Sequence, residues 1–304
     1  MRKVIITYIA LLLLTVGSVH AQSVPFVNFN GDARTAAMGN AGSVLPGAFA
    51  VRQNMAATVL SAEKAQVGAS YLSWQPNAIQ STNINVGGYY NTGKITIGAG
   101  FSHNGYDKME LTNEFGVPTE TVTPKDMMVE LGLGIGFTSN LSGGVALRFI
   151  NSDIGVDKAS AVGIDLSLMY ALDKLRAGLT VSNIGSAVKY RDIEYNLPSR
   201  AKLGLAYQLV DVDKHSLQAA ADVGYQFVSD YSGVLGGVGA EYLFNNMVAV
   251  RGGYHFADKA IGASYASVGA GVRVSVVGLD FAYLVAGNDS PVNNSFVITG
   301  RISF

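Results

Sequence analysis

The chain has 304 residues, of which 14% are charged, with a formal net charge of -1, 36 glycines and no cysteine. A near-neutral balance without a basic cluster excludes nucleic acid as a partner, and the missing cysteines exclude disulfides, thiolate metal sites and a lipid-modified cysteine. Charge is about half the usual globular share, yet beyond the N-terminus no apolar run reaches the length of a spanning helix, which leaves a closed β-barrel as the way to hide backbone from lipid.

Residues 1–21 read as a signal peptide: Arg2 and Lys3 make a positive start, residues 4–16 are apolar, and Val19, His20 and Ala21 fit a small-residue cleavage site. The mature chain is expected to begin at Gln22, in the periplasm. Residues 22–64 are too irregular for membrane strands and too apolar to stay disordered. Residues 65–304 then alternate apolar and polar positions with the period of two that a strand imposes.

Short connections are expected at Asn91, Thr92 and Gly93, at Ser139 and Asn140, at Asp173 and Lys174, at residues 211–213, at Asn245 and Asn246, and at Val277 and Gly278. Long ones are expected around 75–77 and at 104–125, 152–159, 185–199, 229–232, 257–265 and 287–294. Short and long alternate in strict order, which predicts an all-β, antiparallel up-and-down transmembrane barrel of about 14 strands with tight periplasmic turns and longer extracellular loops. The run from Phe296 to Phe304 ends on an aromatic, which is read as the assembly signal for barrel-assembly machinery. Outer-membrane lipid is the expected surrounding.

Lipid-facing positions must be apolar while the interior can be polar. In residues 162–170, Val162, Ile164, Leu166, Leu168 and Tyr170 point out and Asp165 and Ser167 point in. The predicted inward charges are Glu130, Arg148, Asp165, Arg176, Lys202, Asp222, Glu241, Arg251, Arg273, Asp280 and Arg301. Acid and base largely alternate, so Arg148, Asp165 and Arg176 are expected to form one cross-strand ladder and Arg273, Asp280 and Arg301 another. Such ladders either neutralise the wall and hold register or make a charged constriction that selects solutes. Inward glycines, among them Gly132, Gly134, Gly136, Gly237, Gly239, Gly269 and Gly271, leave room for another stretch of backbone in the lumen, for which residues 23–64 are the candidate.

Nothing points to catalysis. His103, His215 and His255 have no carboxylate at metal-ligand spacing, and residues 262–266 approach a nucleophile elbow only loosely, ending on Ala266. Neither an enzyme nor a bound cofactor is expected.

The stretch from Arg34 through Ala36, Ala37, Met38, Gly39, Asn40, Ala41 and Gly42, the pair Asn54 and Ala56, and Ser70, Tyr71 and Trp74 in the first strand carry a resemblance, as do residues 182–185, 197–200, 239–242 and 251–254. On these the chain resembles the PorV/PorQ family, a branch of the FadL-like outer-membrane barrels. Met55 stands where that family has proline. The resemblance implies a 14-stranded barrel with residues 22–64 as a hatch in the lumen, Arg34, Met38, Gly39, Asn40 and Asn54 among its residues. Arg34 and Asn54 are then either latches bonded to the wall or local turn and capping residues. It also implies an adaptor in type IX secretion that binds cargo signal domains or other secretion components. A FadL-type channel for hydrophobic or small solutes is the alternative. The longest loop, 104–125, carries Tyr106, Met109, Leu111 and Phe115 among acidic residues, and is read either as a partner surface or as a cover over the barrel mouth.

Overall fold

The computed structural model describes residues 24–76, 80–228 and 231–304; the expected signal peptide lies outside the described residues. The first strands are β1 (Ala65–Trp74), β2 (Ser81–Asn91) and β3 (Ile95–Tyr106). A small hairpin, β4 (Met109–Thr112) and β5 (Pro118–Val122), leads to β6 (Lys125–Gly136), β7 (Leu141–Asp153), β8 (Lys158–Leu172) and β9 (Leu175–Gly185). A second, β10 (Val188–Tyr190) and β11 (Ile193–Tyr195), precedes β12 (Arg200–Val212), β13 (His215–Val228), β14 (Tyr231–Phe244) and β15 (Val248–Ala257). The last are β16 (Tyr265–Val274), β17 (Val277–Val285) and β18 (Phe296–Ser303).

Fourteen of these strands form one closed antiparallel barrel, with β4–β5 and β10–β11 as separate two-stranded sheets inside connections. Closure is made by β1 against β18, in register from Gln66 opposite Ser303 to Ser73 opposite Phe296. Beyond that pairing, Lys64 N donates to Phe304 O at 2.7 Å and Phe304 N to Ala65 O at 2.8 Å. Closing the sheet removes its edges, so every strand's backbone groups find a neighbour.

Side-chain period sets the two faces. On β8, Val162, Ile164, Leu166, Leu168 and Tyr170 are exposed while Ala161 and Asp165 are buried, and β15 alternates likewise with Val248, Val250, Tyr254 and Phe256 outside. Tight turns collect residues that tolerate positive φ: Asp173, Asp213 and Ser275 in two-residue hairpins, and Asn245 and Asn246, with φ values of 53° and 54°, in the three-residue turn between Phe244 and Val248.

Four connections differ from expectation, the turn expected at 211–213 being Asp213 and Lys214 because Asp211 and Val212 still pair with Ser216 and His215. The turn before β17 is made by Ser275 and Val276, not by Val277 and Gly278, because Val274 and Val277 still pair across the hairpin. Of the long loop expected at 229–232, Tyr231 and Ser232 belong instead to β14, where they pair with Val228 and Phe227 of β13, and residues 229 and 230 lie outside the described residues. The connection expected at 152–159 shrinks to the four residues between Asp153 and Lys158, no longer than the one between Gly136 and Leu141, because Ser152 and Asp153 still pair with Ala159 and Lys158.

Residues 24–64 lie against the inner face. A 3-10 turn over Pro25–Asn28 is followed by three short helices, α1 (Ala33–Ala36), α2 (Ala50–Gln53) and α3 (Met55–Val59). Phe26 and Val27 are fully buried against Met128, Ile150, Val188 and Leu197. Met38 and Val44 pack with Met169 and Ala206, and Ala33 and Ala36 with Leu72, Ala282 and Val297. Inward glycines let backbone meet backbone: a Cβ added at Gly237 would sit 1.9 Å from Gly39 O, and one at Gly239 2.4 Å from Met38 O.

Candidate functional site

The inner segment is tied to the wall by buried charges from two sides. Arg52 on α2 donates to Glu130 on β6 through Nε at 3.1 Å and Nη2 at 2.6 Å, and to Asn85 Oδ1 at 2.7 Å. Arg148 on β7, fully buried, lies 3.4 Å from Glu130, bonds Asp165 on β8, and donates to Asn183 Oδ1 at 2.6 Å and to the Arg52 carbonyl at 2.8 Å. A bulge between β8 and β9 makes this geometry. Asn183 takes φ of 61° there, its backbone N–H donating to Asp165 Oδ1 at 2.8 Å and its side chain to Asn28 Oδ1 at 2.9 Å.

Across the lumen, Arg34 on α1 meets Glu241 on β14 in a two-point contact of 2.7 and 3.0 Å. Arg251 on β15 donates to Glu241 at 2.6 Å and to Asp280 on β17 at 2.7 Å, and Asp280 also accepts from Arg301 on β18. Burial works against the Arg34 charge, but Glu241 outweighs it and leaves the guanidinium more basic than usual. Asp32, the N-cap of α1 through Arg34 N, is pushed above the ordinary carboxylate range by burial, against the pull of Arg301 and Arg34. A third tie joins Asp222 on β13 to Gly42 N, Ser43 N and Ser43 Oγ at 3.0 to 3.3 Å, with Lys202 3.6 Å away.

Two members of the expected ladders fall elsewhere. Arg176 sits opposite Ala171, one step past the tight turn, and makes no ion pair among the described residues, so it does not meet Asp165. Arg273 lies 3.8 Å from Glu63, not beside Asp280, whose partners are Arg251 and Arg301. Of the residues singled out on the inner segment, Arg34 reaches the wall. Gly39 N donates to Ser267 Oγ at 2.9 Å, and Asn40 Nδ2 to Tyr265 OH at 2.6 Å. Gly39 and Asn40 both have positive φ, which suits those residue types. Asn54 is the local alternative: its side chain caps α3 by accepting from Ala57 N at 3.2 Å. Arg52 is not among the expected site residues, its signal being a lone arginine in an apolar helix, and Asn183 enters the sequence reading only within the 182–185 resemblance.

At the long-loop end, the 104–125 connection is an extension of β3 and β6 capped by the β4–β5 hairpin. Tyr106, the last residue of β3, donates to Asp126 at 2.9 Å; Asp126 also accepts from Ser152, which accepts from Tyr190 OH at 2.5 Å. Met109 and Leu111 are half-buried on the hairpin, and Phe115 at its tip is 81% exposed. Phe304, on the outer face at the opposite end, is 64% exposed.

A closed fourteen-stranded sheet with an apolar exterior and a charged interior defines an outer-membrane β-barrel. The family described as type IX secretion system protein PorV matches residues 17–229, and the chain belongs to this family. No curated protein matches it. Among solved structures, the toluene transporter TodX of Pseudomonas putida aligns at 12% identity over 89% of this chain and 97% of that one, with a TM-score of 0.64. The CymD monoaromatic hydrocarbon channel aligns at 13% identity over 90% and 97%, with 0.63. A FadL homologue of Pseudomonas aeruginosa aligns at 13% over 90% and 98%, with 0.59. The shared feature is the FadL-type barrel fold.

Proposed function

We propose that this barrel is a non-enzymatic adaptor of type IX secretion, with residues 22–64 as a hatch and the long-loop end as the surface that holds cargo signal domains or other secretion components. The observation that carries the reading is the double fastening of the inner segment. Arg52 with Glu130 and Arg148 on one side, and Arg34 with Glu241 on the other, fix it across the lumen through charges that are costly to separate once buried. The exposed Phe115, with Val117 beside it, offers apolar surface outside the barrel, and family membership supplies the kind of partner.

The test replaces residues 108–123 by a short Gly-Ser link in a barrel that still assembles. The altered protein is expected to lose retention of a purified cargo signal domain, while the parent protein gives no uptake of hydrophobic solutes into liposomes. Unchanged cargo retention by the shortened barrel, together with solute uptake by the parent, would overturn the adaptor and leave a FadL-type channel.

A further inference from the structure

Between the inner segment and the wall, near the long-loop end, lies a cavity of about 370 Å³. One side of it is built from three adjacent strands in register. Ser182 on β9, Arg200 on β12 and Gln226 on β13 stand abreast, and Thr180 and Lys202 form the next row beside Gly224, which adds no side chain. All of these but Gly224 line the cavity. The facing side is apolar and aromatic, with Phe29, Leu72, Trp74 and Leu284.

The polar side carries donors without partners. Arg200 Nε and Gln226 Nε2 are buried and unbonded among the described residues, as is His255 Nδ1 further round, and Gln226 is only 3% exposed. Arg200 makes no ion pair among the described residues. The neighbouring acids are already engaged: Asp222 by Lys202, Ser43 and the Gly42 N–H, and Asp165 by Arg148 and the Asn183 N–H. Arg200 is half-buried with its Nε fully covered, and a guanidinium held there without a counter-ion favours a ligand that supplies the charge. The planar group that an Arg fork fits is a carboxylate.

We infer that this cavity receives the C-terminal carboxylate of an extended peptide, with Arg200 and Gln226 as the groups that bind it and the Phe29 and Trp74 wall as the seat for the last apolar side chains. Polar groups are spread along the lining through Thr180, Ser182 and Gln75 instead of being confined to one end, which suits a chain bearing amides better than a plain alkyl chain. The site deepens the adaptor reading, on which it rests for the nature of the partner.

Trp74 is the sole tryptophan of the chain and lines the cavity, so its fluorescence reports occupancy directly. The probes are an N-acetylated Val-Leu-Val tripeptide with a free carboxylate, the same peptide as its C-terminal amide, and octanoate, each titrated into the purified full-length barrel. The free acid is expected to shift Trp74 emission saturably. The amide should bind about 10- to 100-fold more weakly, Arg200→Gln should bring the acid down to the level of the amide, and Arg200→Lys should restore part of the difference. Should Arg200→Gln fail to assemble, Gln226→Ala, which breaks no side-chain bond, takes its place with the same expected loss. Equal binding of acid and amide, an unresponsive Trp74, or indifference to these substitutions would overturn the site; octanoate binding tighter than the peptide acid would overturn the peptide assignment. Cargo retention through the β4–β5 hairpin is read separately, so either inference can fail alone.

Discussion

Arg148 is fully buried, and its guanidinium bonds Asp165, Asn183 and the carbonyls of Arg52 and Val27 at once. Removing it leaves Asp165 as an uncompensated buried charge, so Arg148→Ala is expected to destabilise the barrel by about 3–5 kcal/mol. Arg176→Ala should stay within about 0.5 kcal/mol, as for a position away from any buried network. Urea unfolding of both variants in detergent, followed by tryptophan emission, compares them; equal losses would return Arg176 to the network. Asp32 makes a pH prediction. Its folded pKa is raised by burial, so the folded state holds the proton more tightly than the unfolded one, and stability falls as pH rises from the ordinary Asp value through the folded value. Asp32→Asn keeps an N-cap and should flatten that fall, seen as a melting midpoint that changes less with pH than the parent's. The inward face of Arg148 and Arg176 was legible from alternation alone. Their heights along the wall were not, although counting back from the turn at Asp173 and Lys174 sets Arg176 opposite Ala171. The bulge at Asn183 has no periodic signature, because it breaks the period that the reading depends on.

At the level of elements, β14 shows how a strand is shaped by what lies inside it. Gly237 and Gly239 face Gly39 and Met38 so closely that a methyl group at Gly239 must displace backbone. Gly239→Ala is therefore expected to loosen residues 24–64 and speed their cleavage by added protease, with the barrel still resisting digestion. Gly252→Ala, where the nearest atom is 3.9 Å away, is the control and should leave cleavage unchanged. The steric meaning of the inward glycines was legible in the sequence, as was the length of the 104–125 connection. Its hairpin was not, since β4 and β5 are short, exposed and acidic, and their turn rests on Asn113 accepting from Phe115 N and Val117 N with Gly116 at positive φ. Such a turn depends on local side-chain bonding, which hydropathy does not record.

For the whole molecule, the alternation of connections divides the barrel into a short-turn end and a long-loop end. Since the chain has no cysteine, single cysteines report sidedness without interference. Phe115→Cys and Lys189→Cys are expected to react with an impermeant maleimide on intact cells, and Asn245→Cys is expected to react only after lysis; the reverse pattern would invert the orientation. The ties of the inner segment carry a further consequence for how the molecule is made. Arg52 answers Glu130 in the first half of the wall and Arg34 answers Glu241 in the second, partners 78 and 207 residues away in sequence. Contacts of such separation are slow to form, and the segment that makes them precedes every strand. A cylinder sealed first would enclose Glu130 and Glu241 with part of their counter-charge missing and offer only its two ends for late entry. The segment thus bridges both halves of the wall that the β1–β18 seam closes, so the bore and the seam share their fastenings through Arg52 and Arg34.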